Sequence, residues 1–451
     1  MTIKITPTGK AVAKAGIHPE AAIDMLVFLN LKADDLVELN KRCAESELDD
    51  ADDIAFVLIH TAFSSEEYSS GANQRKFIPY QLVAQPLTGP QGRTRPYLTG
   101  SSPVEATNAA VLAWRWIRGA ETKQLEAALD VRSGVLLGMF RDAASILRGM
   151  ADVLFAATSI RSEGQRPAGL DQGKIEGLKQ LVGTMRLVAI RLEVGLPDDV
   201  VWMRSLCAGG ANMPAQRNRA SLLTRKQIMD LRSRGMVSPS NILDTGRFPE
   251  LLDGVGPRTP ANTQVAQAVQ HATRTWRNEE RNRLVESQTK RLPVECRDIL
   301  LRFYRERETA CEHVLEEVFE CFDINVSAKD DGSLPAFPDF ILDFMNPKDF
   351  ALECKSKTVG DSVTLNDATE VIRKAGVNGY NLSFKVTVCQ PYVSPEVPRA
   401  LVNCPDLCVV NAEDLAEAFV RLKTGKLDKQ GFADWLGRPG QALREHLSNA
   451  T

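Results

Sequence analysis

Two short segments in the last third of the chain alternate regularly between apolar and polar residues. They cover residues 338–344 and 350–357, and a short polar stretch separates them. A β-strand directs successive side chains to opposite faces, so this alternation predicts a two-stranded hairpin with one apolar face. The other face would present Asp339, Glu353 and Lys355 side by side. A surface hairpin with a charged, solvated face is the alternative interpretation.

This grouping suits metal-assisted cleavage of a phosphodiester bond. Mg²⁺ prefers oxygen ligands, which Asp339 and Glu353 would supply together with the backbone carbonyl of Cys354. A bound metal lowers the pKa of its water and neutralises charge that develops on the phosphorus centre. Lys355 would orient or deprotonate that water, or stabilise the transition state as a fixed cation. The three side chains therefore predict a Mg²⁺ site in which Mn²⁺ substitutes.

The spacing of these residues resembles a known signature. Pro338 and Asp339, thirteen intervening residues and then Glu-x-Lys are similar to the motif of the PD-(D/E)xK, or restriction-endonuclease-like, superfamily. The resemblance implies an α/β nuclease domain over about residues 300–425. It also implies that Asp339 and Glu353 bind the metal while Lys355 assists the attacking water. Some members of such superfamilies lose activity and serve as binding scaffolds, which leaves a non-catalytic domain open.

Many members of this superfamily carry a further glutamate on the helix that precedes the first strand. Glu312 fits that position, and Glu316 and Glu317 are close enough in register to compete with it. Asp343 would share a face with Asp339 and is the alternative to it. The expected catalytic set is therefore Asp339, Glu353 and Lys355, with Glu312 as a fourth member.

The first half of the chain carries a second, more diffuse resemblance. The stretches that carry it are residues 6–11, 17–19, 116–119 and 225–235. Their order is similar to the carboxyl-terminal half of ratchet-type superfamily-2 DNA repair helicases, over residues 1–245. That likeness implies a winged-helix remnant, a helical bundle and a helix-hairpin-helix-like unit.

The motor of such helicases has no counterpart in this sequence. A P-loop of the form GxxxxGKS/T is needed to hold nucleotide phosphates and Mg²⁺, and the sequence has none. We therefore expect no intrinsic ATPase, and a separate helicase or ATPase subunit as the partner.

Local charge supports contact with DNA. The whole chain has a net charge of -3, but residues 202–291 hold fifteen Lys and Arg against seven Asp and Glu, a net charge of +8. Neutralising phosphates is the main sequence-independent source of nucleic-acid affinity. The expected nucleic-acid-binding residues are Arg225, Lys226, Arg232 and Arg234. A solvated basic face that balances acidic stretches elsewhere is the alternative.

Together these patterns predict a mostly α N-terminal region followed by an α/β restriction-endonuclease-like domain. The predicted domains are a helicase-accessory-like helical region (1–160), a helical and helix-hairpin-helix-like DNA-binding region (161–262), a connecting helix (263–299) and a PD-(D/E)xK nuclease domain (300–451). The central helix of the first region, over residues 134–157, should bury one face, because its apolar residues recur at three- and four-residue steps.

Composition places the chain in the cytoplasm. Nine cysteines are scattered without metal-ligand spacing, and those among apolar residues, such as Cys311 and Cys321, are expected to be reduced core residues. No signal peptide is recognisable and no apolar run approaches the length of a membrane span, so no membrane association is expected.

The expected function is a Mg²⁺-dependent DNA endonuclease that acts with a helicase partner in phage defence, restriction or repair. Two alternatives remain open on the sequence. One is a non-catalytic DNA-binding adaptor of a helicase complex, and the other is an RNA-processing nuclease. The sequence also leaves a homodimer open.

Overall fold

The computed structural model describes most of the chain, in two compact units. The described residues are 5–45, 50–69, 80–83, 85–98, 103–159, 170–206, 222–344, 349–357, 362–394, 397, 400–401 and 404–447. The first unit comprises residues 1–233 and the second residues 234–451. A mostly helical region up to residue 321 is followed by an α/β region with a mixed six-stranded sheet, which confirms the predicted order of fold classes.

The first unit is built from helices. They are α1 (Pro7–Ala15), α2 (Pro19–Leu31), α3 (Ala33–Glu45), α4 (Asp53–Ser64), α5 (Glu66–Ser69), α6 (Gln91–Thr94), α7 (Val104–Ile117), α8 (Thr122–Leu129), α9 (Ser133–Thr158), α10 (Ile175–Val194) and α11 (Arg225–Ser233). The predicted apolar face of α9 is confirmed, since Phe140, Ala144, Leu147 and Met150 are buried. α10 packs along α9, and α4 is buried over nearly its whole length.

The second unit contains the helices α12 (Pro239–Leu243), α13 (Phe248–Val255), α14 (Pro260–Arg291), α15 (Val294–Arg305), α16 (Thr309–Cys321), α17 (Leu365–Val377), α18 (Ala412–Lys423) and α19 (Lys429–Leu436). Its strands are β1 (Asn325–Lys329), β2 (Phe340–Asp343), β3 (Phe350–Ser356), β4 (Phe384–Gln390), β5 (Leu407–Asn411) and β6 (Gly440–Ala442). They lie in sequence order across the sheet.

Residues 293–322 do not form one continuous helix. Two helices, α15 and α16, replace it and are joined at residues 306–308. Glu308 adopts a left-handed conformation (φ 54°) and its N–H donates to Ser356 Oγ at 2.5 Å, instead of to a carbonyl one turn back. The link therefore ties the start of α16 to the end of β3.

The direction of the strands changes at β3. β1, β2 and β3 pair antiparallel, whereas β3, β4, β5 and β6 pair parallel. The predicted alternation is confirmed, because Leu342 and Leu352 join the core on one face, and Ile341 and Ala351 join the core beneath α17 on the other. The connection predicted between β2 and β3 covers residues 346–349, of which 346–348 lie outside the described residues.

The described cysteines are free thiols, as predicted. Two pairs are in contact: Cys311 Sγ lies 3.1 Å from Cys354 Sγ, and Cys321 Sγ lies 2.7 Å from Cys296 Sγ. Within the described part of the chain, no helix is long and apolar enough to span a bilayer.

Candidate active site

The three residues singled out by the sequence come together on the face of the sheet that α17 covers. Asp339 directly precedes β2, and Glu353 and Lys355 lie in β3. Asp339 is 8% exposed and Glu353 is 1% exposed, so both carboxyl groups are withdrawn from bulk water. A carboxylate is costly to bury without partners, so its surroundings decide what it can do.

The point at which β2 and β3 stop pairing explains the orientation of the Asp339 side chain. Pairing between β2 and β3 stops at Phe340 and Leu352, so the next β3 residue facing that edge, Cys354, has no β2 backbone partner. Its N–H donates instead to Asp339 Oδ2, at 2.7 Å. Because the N–H and carbonyl of a strand residue point to the same edge, the Cys354 carbonyl is directed toward this side as well.

A residue that the sequence did not single out completes the cluster. Lys374 of α17 places its Nζ 2.6 Å from Glu353 Oε1 and 3.5 Å from Asp339 Oδ1. One helical turn earlier, Glu370 accepts from Lys355 Nζ at 2.6 Å, and the same Nζ lies 2.9 Å from Glu353 Oε1. Two ammonium groups thus lie among three carboxylates.

The burial of this cluster changes its acid–base behaviour. Burial, and then repulsion from Glu353, raise the pKa of Asp339 to about 7, although the Cys354 N–H and Lys374 oppose the shift. Burial by itself would lower the pKa of Lys355, but its bonds to Glu370 and Glu353 outweigh that effect and raise it. Lys355 is therefore a firmly protonated cation, which favours a role as a positioned charge and donor over a role as a base.

The structure separates the three glutamates that competed for the position on α16. Burial and repulsion from Glu353 raise the pKa of Glu312, so its carboxyl group is close enough to the cluster to be affected by it. Glu316 instead pairs with Lys329 at 2.5 Å, and Glu317 pairs with Arg302 at 2.6 Å. Glu316 and Glu317 are thus each paired with a cation of their own, whereas Glu312 responds to the charge of Glu353.

Asp343 does not share the position of Asp339. Asp343 lies four residues after Asp339, at the end of β2, where it pairs with Asn325 of β1. At roughly 3.3 Å per strand residue, the two aspartates are roughly 13 Å apart along the strand. That separation is too large for both to bind one metal ion.

The donor set fits a hard divalent cation. Glu353 Oε2 is buried and, among the described residues, has no hydrogen-bond partner, which leaves one carboxylate oxygen as an unused acceptor. In the part of the chain that the structure describes, the one contact of Asp339 Oδ1 is with Lys374 Nζ, at 3.5 Å. No group of three His, Cys, Asp or Glu side chains in the described ranges is arranged to hold a metal. The protein would thus supply two carboxylates and the Cys354 carbonyl, and water and phosphate would supply the rest, as Mg²⁺ sites commonly require.

The predicted DNA-binding residues lie in different surroundings. Arg225 is half-buried, donates to the carbonyl of Gly195 at 2.7 Å and lies over the ring of Trp116. Arg232 pairs with Asp199 at 2.8 Å, whereas Lys226 and Arg234 are exposed. The middle of the predicted helix-hairpin-helix-like unit, residues 207–221, lies outside the described residues.

Sequence comparison adds no family to this geometry. The chain matches no protein-family model, and no curated protein is similar to it in sequence.

Proposed function

We propose that this chain is a metal-dependent DNA endonuclease whose catalytic residues are Asp339, Glu353 and Lys355. One observation carries the proposal: two buried carboxylates from adjacent strands lie beside a lysine that is held in its charged form. Hydrolysis of a phosphodiester requires neutralisation of charge on the phosphate and a positioned nucleophilic water.

Each residue has a distinct part in the proposal. Asp339 is oriented through Oδ2 by the Cys354 N–H, which leaves Oδ1 as a ligand atom. Glu353 Oε2 would be the second ligand atom and the Cys354 carbonyl the third. Mg²⁺ or Mn²⁺ held there would activate water and offset the charge of the phosphate. Lys355, fixed by Glu370, would donate to the water or to a phosphate oxygen, and Glu312 would position water at the margin of the site.

The helical unit is proposed as an accessory that holds the substrate. Its likeness to the non-motor part of repair helicases and the absence of a P-loop motif support the action of a separate helicase or ATPase subunit. Phage defence, restriction and repair are the settings in which such a pairing would serve. Of the predicted DNA-binding residues in this unit, Lys226 is exposed at the start of α11 and could meet a phosphate.

A non-catalytic DNA-binding adaptor is the second candidate, because one observation favours it. The ammonium of Lys374 already neutralises Glu353 and approaches Asp339, so the two acids have a partner within the protein. In an adaptor this ion pair would be a permanent part of the core. In an enzyme it would yield to the metal.

Cleavage of nucleic acid tests the proposal directly. Supercoiled plasmid, single-stranded DNA and RNA would be incubated with Mg²⁺ or Mn²⁺ and wild-type protein, Asp339→Asn or Asp343→Asn. Metal-dependent cutting that Asp339→Asn loses and Asp343→Asn keeps is expected, with DNA preferred over RNA. Preference for RNA would redirect the proposal to RNA processing.

A binding measurement separates the two candidates if no cutting is seen. Titration of Mn²⁺ into the wild-type protein and into Glu353→Gln would be followed by calorimetry. Binding lost in the variant supports the enzyme, and the assay would then be repeated with the helicase partner and ATP. No binding to either protein supports the adaptor.

A further inference from the structure

A second charged cluster lies in the sheet-containing unit, beyond the carboxyl ends of β3 and β4. Arg277 and Arg281 reach it from α14, and Arg307 reaches it from the link between α15 and α16. Arg307 donates to the side chain of Gln390, the last residue of β4. Gln390 follows Cys389, which packs beneath α17, so the arginines gather on the sheet face opposite to α17.

Of the three arginines, Arg277 has the fewest polar partners for its guanidinium group. Its guanidinium carbon lies 3.2 Å from the ring centroid of Tyr392, whose hydroxyl donates to Asn278. Among the described residues, the Arg277 guanidinium forms no hydrogen bond and no ion pair. Guanidinium groups carry five N–H donors, and buried donors are nearly always paired. Burial lowers the pKa of Arg277, although Tyr392 and Glu413 oppose the shift.

The contacts of Arg281 and Arg307 do not offset the excess of positive charge in this cluster. Arg307 donates to the backbone carbonyls of Tyr304 and Glu306, at 3.1 and 2.8 Å, and to the Gln390 amide oxygen, and all three acceptors are neutral. Arg281 pairs with Glu413, its Nε lying 2.7 Å from Oε1. Among the described residues, Glu413 is thus the one carboxylate that pairs with these three guanidinium groups. Positive charges that are partly withdrawn from water and outnumber their acidic partners favour the binding of an anion.

The cluster and the candidate active site border the same end of β3. Arg307 directly precedes Glu308, whose N–H bonds to Ser356 Oγ, and Ser356 directly follows Lys355. A chain of phosphates that passes the end of this strand would meet lysine on one face of the sheet and arginine on the other. A single small anion would reach one of these sites but not both.

We propose that Arg277, Arg281 and Arg307 form an anion site that binds a phosphate group, supplied by the backbone of the nucleic-acid strand that enters the candidate active site. The planar, forked donors of arginine match the oxygens of a phosphate, and stacking on Tyr392 holds the Arg277 fork in place. The choice of nucleic acid as the source rests on the proposed function, whereas the anion site does not.

Binding without divalent metal tests the site independently of catalysis. Fluorescence anisotropy of a labelled single-stranded DNA in EDTA would be measured over a series of salt concentrations for Arg277→Gln and Arg307→Gln. Each variant should bind roughly tenfold more weakly, because one charge-assisted contact is lost. The slope of log K against log salt should fall by about one phosphate contact. Arg283→Gln, an exposed position on the same helix, is the matched control and should bind like wild type.

Inorganic phosphate distinguishes the source of the anion and guards against misfolding. Phosphate should raise the Tm of the wild-type protein and of Arg277→Lys but not that of Arg277→Gln, whose Tm without phosphate reports on its folding. Stabilisation by phosphate without DNA binding would support the anion site and count against the nuclease. Wild-type DNA affinity and salt slope in both glutamine variants would overturn the anion site, whatever the cleavage assay shows. Absence of both DNA binding and stabilisation by phosphate in the wild-type protein would overturn it as well.

Discussion

Lys374 and Glu353 lie 21 residues apart in the chain, yet their Nζ and Oε1 atoms are 2.6 Å apart. The ion pair is nearly sealed from solvent, since the two side chains are 14% and 2% exposed. Removing one partner of a buried pair leaves an uncompensated charge, which is far more destabilising than losing an exposed pair. The contact therefore links the stability of the unit to the chemistry of its site.

Replacing Lys374 by methionine should lower the free energy of unfolding by roughly 3 kcal/mol, because Glu353 and Asp339 then repel each other with only Lys355 nearby. Addition of Mg²⁺ should restore much of that loss if the acids bind metal. Urea denaturation with and without Mg²⁺ measures both effects. Arg373→Met, an exposed neighbour on α17, is the control and should change little. A variant that Mg²⁺ does not stabilise would speak for the adaptor.

The strand residues of this site could be predicted from the local sequence pattern, but the residues that α17 contributes could not. Strand alternation places Glu353 and Lys355 on one face of β3, and the antiparallel register of β2 with β3 brings Asp339 beside them. Glu370 and Lys374 stand one turn apart on α17, a spacing that solvated helices show just as often. Their role depends on how α17 docks against β3, which only the tertiary structure reveals.

Replacing Lys355 by alanine should abolish cutting while DNA binding survives, because the lysine is fixed beside the acids and acts on chemistry rather than affinity. Lys357→Ala is the matched control: Lys357 follows on the same face and pairs with Asp367. Plasmid nicking and anisotropy would be measured for both proteins. If Lys355→Ala loses binding in step with cutting, the catalytic assignment is wrong.

The two basic residues at the start of α11 should behave differently. Arg225→Ala removes the donor to the carbonyls of Gly195, Trp116 and Ala120 and should cost roughly 2 kcal/mol of stability. Lys226→Ala should leave stability within about 0.5 kcal/mol of wild type, because its side chain is exposed. Thermal denaturation distinguishes the two variants.

DNA binding by the same variants then tests the interface. Lys226→Ala should weaken binding and reduce its salt dependence by about one phosphate contact. An unchanged salt slope would remove this helix from the interface. The sequence could not separate the two residues, because a basic residue that caps a neighbouring helix looks like one that meets phosphate.

His60 makes the helical unit sensitive to acid. The ring is buried on α4 and hydrogen-bonds to Thr107 and Ser64, and burial lowers the pKa of His60 to about 4. The unfolded chain binds the proton near its ordinary pKa of about 6.5, before the folded chain does. Stability should thus fall as pH drops from about 6.5 to about 4, by roughly 3 kcal/mol from this group. His60→Gln should lose less over that range in urea denaturation, and an equal loss would exclude His60 as the cause.

The position at which β2 and β3 stop pairing limits how the sequence of this chain can evolve. Asp339 and Glu353 face each other only because β2 stops at the partner of Leu352 and leaves the Cys354 N–H free. An insertion of one residue within β3 would turn Glu353 toward the apolar core and Cys354 toward α17. Substitutions in the core can be absorbed one at a time, but a change in strand length at this point removes the site in a single event.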